Sequence, residues 1–363
     1  MGRRVVALAA RAALFVLVSA ASASAYPWPI RPFNQQHPIR SVFGDPRTVF
    51  QDSLFAGGLD GPGSFSFHNG VDIAAPDGTP VYPVASGIVH LIDAEAVGVT
   101  TVTGRTYQYY HVVPRVFDGE HVTVGLTVLG TVEAPYGHVH LGEIDGTRVT
   151  NPLLKGHLTP YVDHTRPIVE SIDLRAAGGS VTEAVGACGK IAIVADAYDR
   201  PVLPVPGAFS DLPFAPELIR WRLVRTTGQV FVPWTDVVDF RTTLPPPLAF
   251  WDIYARGTFQ NAPRFGRQQF TSLPGRYLFY LTQDLDTKTL PNGLYRITVV
   301  AKDERGNTGS LSRRFWIFNL LTTTGCPEPA PPPTTTGTDT TGTVTTTGET
   351  TTTVVTDPNE PPH

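Results

Sequence analysis

At 363 residues the chain is too long for one small core and fits two ordinary domains of roughly 100–200 residues each. Its 41% hydrophobic and 17% charged residues describe a globular chain of low charge, and the formal charge of −4 becomes about −7 without the first 25 residues, which carry three arginines and no acid. That balance excludes a general nucleic-acid binder, which needs a basic stripe to neutralise phosphates, while 34 Gly and 34 Pro argue against an all-helical fold.

Residues 1–25 read as a signal peptide. Arg3 and Arg4 open it, Val5 to Val18 is mostly apolar around Arg11, and Ala23-Ser24-Ala25 is a small-residue cleavage site ahead of Tyr26. The apolar stretch falls short of the roughly 20 residues of a bilayer span, so the mature chain is expected to be exported without a membrane span, to a periplasm, cell wall or medium. From 26 to 163, short runs alternate apolar and polar residues between Gly and Pro turns: Val81 to Ile92, Val97 to Val102, Thr106 to Val113, His121 to Val124, Val128 to Val132 and His138 to Ile144. Runs this short and rich in Val and Tyr predict antiparallel strands.

A second domain is expected over 164–321, with strands at Ile191 to Ala197, Leu218 to Val224, Val230 to Trp234, Tyr277 to Thr282, Leu294 to Ala301 and Arg314 to Phe318. Tyr295, Ile297, Val299 and Ala301 share one face, the pattern of a strand with one buried side. Residues 322–363 hold Thr and Pro in excess, with no aromatic residue, Lys or Arg, and cannot bury enough apolar surface to order themselves. Cys188 and Cys326, the only cysteines, read as one disulfide clipping the two ends of the second domain, worth about 4–5 kcal/mol in the chain-entropy account.

Of the ten histidines, His37, His90, His121, His157 and His164 have no partner at an informative spacing. His363 ends the tail, and the other four fall in His68-Asn69-Gly70-Val71-Asp72, Tyr109-Tyr110-His111 and His138-Val139-His140. Residues two or four apart on a strand share a face, so His68 with Asp72, and His138 with His140, can converge, and Gly70 leaves that face open. Imidazole and carboxylate suit zinc, whose catalytic sites take three protein ligands plus water; His68, Asp72 and one of the paired histidines would make that set.

The order "RSVFGDPR", "FHNGVDIAAPDGTPVYPVASGIV", "YYHV", "GEHVTVGLTVLGTV", "GHVHLGE" resembles the lysostaphin-like, LytM-type zinc metallopeptidases over residues 40–155. "PNGLYRITVVAKDERGN" resembles, more weakly, the penultimate strand and turn of bacterial immunoglobulin-like domains. With the resemblances, the chain is expected to be mainly β: a small antiparallel β-sheet metallopeptidase domain followed by an immunoglobulin-like β-sandwich and, from its composition, a disordered Thr/Pro-rich tail. The peptidase resemblance implies one zinc per chain on His68, Asp72 and His140, with His111 and His138 beside the metal-bound water as proton-transfer residues. Family members often place a Tyr shortly before the first histidine; here that stretch holds Phe65 and Phe67 instead.

The expected activity is that of a secreted zinc endopeptidase acting on stem or cross-bridge peptides of bacterial peptidoglycan. The alternative is a non-catalytic LytM-like module that binds the envelope or activates a cell-wall amidase. Such relatives usually lose metal ligands, and this sequence keeps all three. The stretch Thr48 to Ser66, with four glycines, is expected to form a loop at the groove edge.

Overall fold

The alternating runs fold as mainly antiparallel β-structure in the computed structural model of the chain. The structure describes residues 25–48, 65–176, 179–181, 186–261 and 274–319. The expected signal segment up to residue 24, most of the Gly-rich stretch (49–64), Cys326 and the Thr/Pro-rich tail lie outside the described residues.

The first half carries β1 (Ile39–Ser41), β2 (Pro46–Arg47), β3 (Ser66–Phe67), β4 (Gly70–Ala74), β5 (Pro80–Val81), β6 (Gly87–Asp93), β7 (Ala96–Thr100), β8 (Arg105–Tyr110), β9 (Val112–Pro114), β10 (His121–Val122), β11 (Gly130–Val132), β12 (His138–Asp145) and β13 (Arg148–Thr150). Eight of them make one sheet in the order β1-β4-β12-β8-β7-β6-β10, with β13 paired to β12; β5, β11 and β9 make a sheet of three. The run expected from Val81 to Ile92 is therefore two strands in different sheets. Pro83 between them cannot donate to a ladder, and the chain changes sheets there.

Strand β12 pairs with β4 on one side and β8 on the other, so both of its edges are closed. Period-two alternation then sorts the side chains. Val71, Ile73, Tyr107, Tyr109, Val139 and Leu141 enter the apolar core of this half. Asp72, His138 and His140 alternate with them and take the other face, where they are also buried.

The second half carries β14 (Ile168–Ala176), β15 (Gly179–Ser180), β16 (Lys190–Tyr198), β17 (Leu218–Arg225), β18 (Val230–Asp239), the short helix α1 (Phe250–Ile253), β19 (Leu278–Asp286), β20 (Gly293–Lys302) and β21 (Thr308–Ile317). Two four-stranded antiparallel sheets, β15-β14-β16-β19 and β18-β17-β20-β21, enclose one core. On β20 the side chains of Tyr295, Ile297, Val299 and Ala301 are all buried, as the alternation predicts. Cys188 is disulfide-bonded. No described helix is long and apolar enough to cross a membrane.

The two cores exchange residues. Phe43, Phe65 and Phe67 pack in the core of the second half, and Phe214 packs in that of the first. The Phe67 ring lies 5.5 Å from Phe240 and 5.3 Å from Phe250, centroid to centroid. Gly44, at φ 87°, lets the chain pass where a Cβ would overlap the Phe240 ring, and Tyr254 donates its hydroxyl hydrogen to the Gly44 carbonyl at 2.8 Å. Both ends of the expected groove-edge loop are anchored: Phe65 is buried, and Thr48 exchanges hydrogen bonds of 2.6 and 2.9 Å with Gln260. Phe67→Ala, which empties a site shared by both halves, is expected to cost about 3–5 kcal/mol in a urea unfolding titration. A loss below about 1 kcal/mol would show that Phe67 does not couple the halves.

Candidate metal centre

The sheet register places Asp72 directly opposite His140 on neighbouring strands. His68 arrives differently from the expected same-strand pairing with Asp72. It lies in the break between β3 and β4, where its backbone accepts from Gly44 N–H and donates to the Asp45 carbonyl, each at 2.8 Å. Its Nδ1–H donates to the Val42 carbonyl at 2.8 Å, which fixes the tautomer and turns Nε2 inward. The 42–45 turn, not strand alternation, aims this ring.

His68 Nε2 then stands 3.0 Å from Asp72 Oδ1 and 2.8 Å from His140 Nδ1, and the latter two atoms are 3.1 Å apart. Two imidazole nitrogens and one carboxylate oxygen thus converge in a buried triangle, a donor set that fits zinc. His140 Nε2 is buried with no hydrogen-bond partner and faces Gly70, where an added Cβ would lie 2.6 Å from it. Gly70→Ala is therefore expected to push the His140 ring off the triangle and reduce bound zinc to well below half an equivalent, read by atomic emission on the purified protein. Full zinc content in that variant would show that the ring has room to move.

Asp72 divides its oxygens. Oδ1 faces the histidines while Oδ2 accepts from Arg47 Nη2 at 2.9 Å, with Arg40 Nε 3.8 Å away. Burial opposes ionisation of Asp72, but His68, His138 and Arg47 together hold its carboxyl well below the usual range. Burial, reinforced by Arg47, pushes the His68 imidazole down to about 3, and burial does the same to His111. Burial and then Arg40 push His138 well below its ordinary value. These three rings are neutral at pH 7 and keep a lone pair for a metal or a proton.

His138 and His111 flank the triangle. His138 Nδ1–H donates to the Tyr136 carbonyl at 2.9 Å, so Nε2 carries the lone pair; it accepts from Arg40 Nη2 at 3.2 Å and lies 3.6 Å from Asp72 Oδ1. His111 occupies the left-handed region at φ 61°, between the end of β8 and the start of β9. That conformation, uncommon outside glycine, turns the chain from one sheet to the other and brings the ring within 4.3 Å of His138, stacked on Tyr136 at 4.1 Å. Its Nδ1 is buried with no hydrogen-bond partner. All five sequence-derived residues meet at one place, whereas His157 is engaged elsewhere, with Glu143 at 2.8 Å, and His90 with Thr100 at 2.9 Å.

Arg40, Arg47 and Tyr136 escape sequence reasoning as site residues. Both arginines sit at the ends of "RSVFGDPR", inside the block that carries the resemblance, but their burial is visible only in the structure. Two phenols border the site: Tyr110, whose ring lies 5.4 Å from that of His140, and Tyr136, stacked on His111, whose hydroxyl donates to Glu95 at 3.1 Å. A cleft of about 370 Å³ opens alongside, lined on one side by Arg40, Tyr136 and Gly137 and on the other by residues 205–209 of the second half. Phe209 from that segment lies under the Arg40 guanidinium at 4.1 Å.

No protein-family model matches the sequence, and no curated protein matches it. Solved structures do show similarity. A mutant catalytic domain of the prophage-encoded M23 protein EnpA from Enterococcus faecalis is 28% identical over 22% of this chain and 69% of that one, with a TM-score of 0.20. The deep-sea M23 metalloprotease pseudoalterin is 14% identical over 44% of this chain and 87% of that one, with a TM-score of 0.26. A zinc-containing peptidase from Vibrio cholerae is 21% identical over 35% and 39%, with a TM-score of 0.26. At such scores the weight falls on the side-chain geometry of the site itself.

Proposed function

We propose that this chain is an exported zinc-dependent endopeptidase that hydrolyses peptide cross-links of bacterial peptidoglycan. The observation that carries the reading is the convergence of His68 Nε2, Asp72 Oδ1 and His140 Nδ1 beside two further neutral imidazoles. Histidine and carboxylate sites with only three protein ligands are the catalytic type, because the fourth position stays open. A zinc held there supplies Lewis acidity and a water of lowered pKa.

The chain's own residues do the rest. His138 Nε2, its tautomer set by the Tyr136 carbonyl, takes and returns a proton. His111, beside it, serves the same water and the developing oxyanion, and Arg40 places a cationic donor next to His138 where the stretch before the first histidine has no Tyr. The substrates are stem or cross-bridge peptides, which the cleft between the 135–137 and 205–209 segments admits in extended form. The organisation that goes with this reading is a signal peptide over 1–25, a metallopeptidase unit over 26–163, an immunoglobulin-like sandwich over 164–321 and a disordered tail over 322–363. The sheet order β18-β17-β20-β21 packed against β14-β16-β19 supports the sandwich.

Zinc-loaded protein incubated with sacculi of known cross-link chemistry should release fragments carrying a new amine, identified by mass spectrometry, and Asp72→Ala should release none. Sacculus binding without a new amine, or stimulation of a separate amidase, would replace the peptidase with the non-catalytic alternative.

A further inference from the structure

A second cluster of buried oxygens, sharing no residue with the first, lies at the junction of the two halves. Asp163 sits in the segment joining the halves, Asp199 follows β16 and Asp303 lies in the turn between β20 and β21. Each offers a carboxylate oxygen, and these atoms lie within 4.8 Å of one another. All three residues are almost completely shielded from solvent, at 4%, 1% and 2% exposure.

Hydrogen bonding leaves this cluster incomplete. Asp303 is satisfied by Arg305 N–H and Asn307 N–H, each at 2.8 Å, and by Asn307 Nδ2 at 2.6 Å. Asp163 Oδ1 accepts from Thr165 N–H and its hydroxyl at 2.7 and 2.6 Å, and Oδ2 has the Tyr161 hydroxyl at 3.4 Å. Asp199 Oδ1 accepts from Arg200 N–H at 2.8 Å, but its Oδ2 is buried with no partner at all. The Oε2 atom of Glu217, a neighbouring buried carboxylate, is likewise unpartnered.

No Lys or Arg among the described residues forms an ion pair with any of these four carboxylates. Arg305, whose charge reaches Glu217, gives hydrogens to the carbonyls of Leu153 at 2.7 Å and Tyr161 at 3.3 Å. Burial and then the neighbouring carboxylates push Asp199 up to about 8, so the cluster wants positive charge. An uncompensated buried carboxylate costs several kilocalories per mole, which only a proton or a cation can remove.

We propose that Asp163, Asp199 and Asp303 bind a divalent cation, calcium by donor type, that locks the second half onto the end of the first. An all-oxygen set of three carboxylates with no imidazole or thiolate selects a hard cation, and calcium accepts the irregular coordination better than magnesium. The ion ties together the inter-half segment and two strand ends of the sandwich. This holds the cleft wall at 205–209, which leaves β16 shortly after Asp199, at a set distance from the histidines.

The test uses the full chain, stripped on chelating resin and reloaded with one equivalent of zinc. Equilibrium dialysis against radiolabelled calcium should show about one further ion per chain. Saturating calcium should raise the melting temperature by about 5–10 °C at a hundredfold excess over Kd, and magnesium at the same concentration should not. Asp199→Asn keeps the shape and removes a buried charge. It should bind less than a tenth as much calcium, show no calcium-dependent shift, melt above calcium-free wild type and keep its zinc. Wild type that binds no calcium, or Asp199→Asn that binds as wild type does, overturns the proposal and leaves shared protons as the compensation. If the variant does not fold, terbium excited through Tyr161 reads the same place in wild type. Emission that calcium displaces supports the site, and its absence overturns it.

Discussion

Replacing His138 with Ala is expected to leave one zinc in place and lower turnover by about 10²–10⁴-fold, while His140→Ala loses zinc and activity together. The geometry separates the two rings: His140 Nδ1 is part of the triangle, whereas His138 Nε2 faces Arg40 and stands 3.6 Å from the Asp72 oxygen. His111→Ala should follow His138→Ala, since its ring touches His138 and Tyr136 and none of the three converging atoms. Zinc content and peptide hydrolysis measured on the three purified variants decide the matter. Zinc loss in His138→Ala with retention in His140→Ala would exchange the two roles, and unchanged rates in all three would end the peptidase reading.

Asp72→Ala is expected to have the broadest effect, because it removes the only anionic ligand and the carboxylate partner of a buried arginine at once. Loss of the ligand should remove zinc binding under conditions where wild type holds one equivalent. Loss of the partner leaves the Arg47 and Arg40 guanidiniums without that carboxylate in a buried site, and breaking a buried pair in this way costs about 3–5 kcal/mol. The urea midpoint of the metal-free variant should therefore fall well below that of metal-free wild type. Replacing Arg47 with Met in the Asp72→Ala background removes most of the uncompensated charge and should recover part of the loss. A metal-free midpoint unchanged in Asp72→Ala would show that the ion pair contributes nothing to the fold.

The sequence by itself determined the mainly β character, most of the longer strands and the list of chemical groups, while β1 to β4 and β14 lie outside the runs it marks. Val- and Tyr-rich alternation marks β7, β8, β12 and β20 because a period of two is forced by the strand backbone, and it needs no knowledge of neighbours. His68 with Asp72, and the His138 and His140 pair, were legible as candidates for a similar reason, since imidazole and carboxylate at short fixed spacings are local facts; His111, and the choice of His140 over His138 as ligand, came only from the resemblance to the LytM-type peptidases. Tertiary structure decided how they meet. His68 reaches Asp72 through a turn held by Val42, Gly44 and Asp45, and His111 through a left-handed residue between two sheets; neither follows from alternation. Arg40 and Arg47 acquire their places because β1 and β2 fold against β4 and β3, Ser41 opposite Asp72 and Arg47 opposite Ser66, pairings that composition does not encode. The shared core of Phe43, Phe65 and Phe67, the cleft wall at 205–209 and the carboxylate cluster of Asp163, Asp199 and Asp303 lie further still from local reading. They bring together residues far apart in the chain, such as Phe67 with Phe240 and Asp163 with Asp303, and only the packing of one half of the chain against the other makes them neighbours.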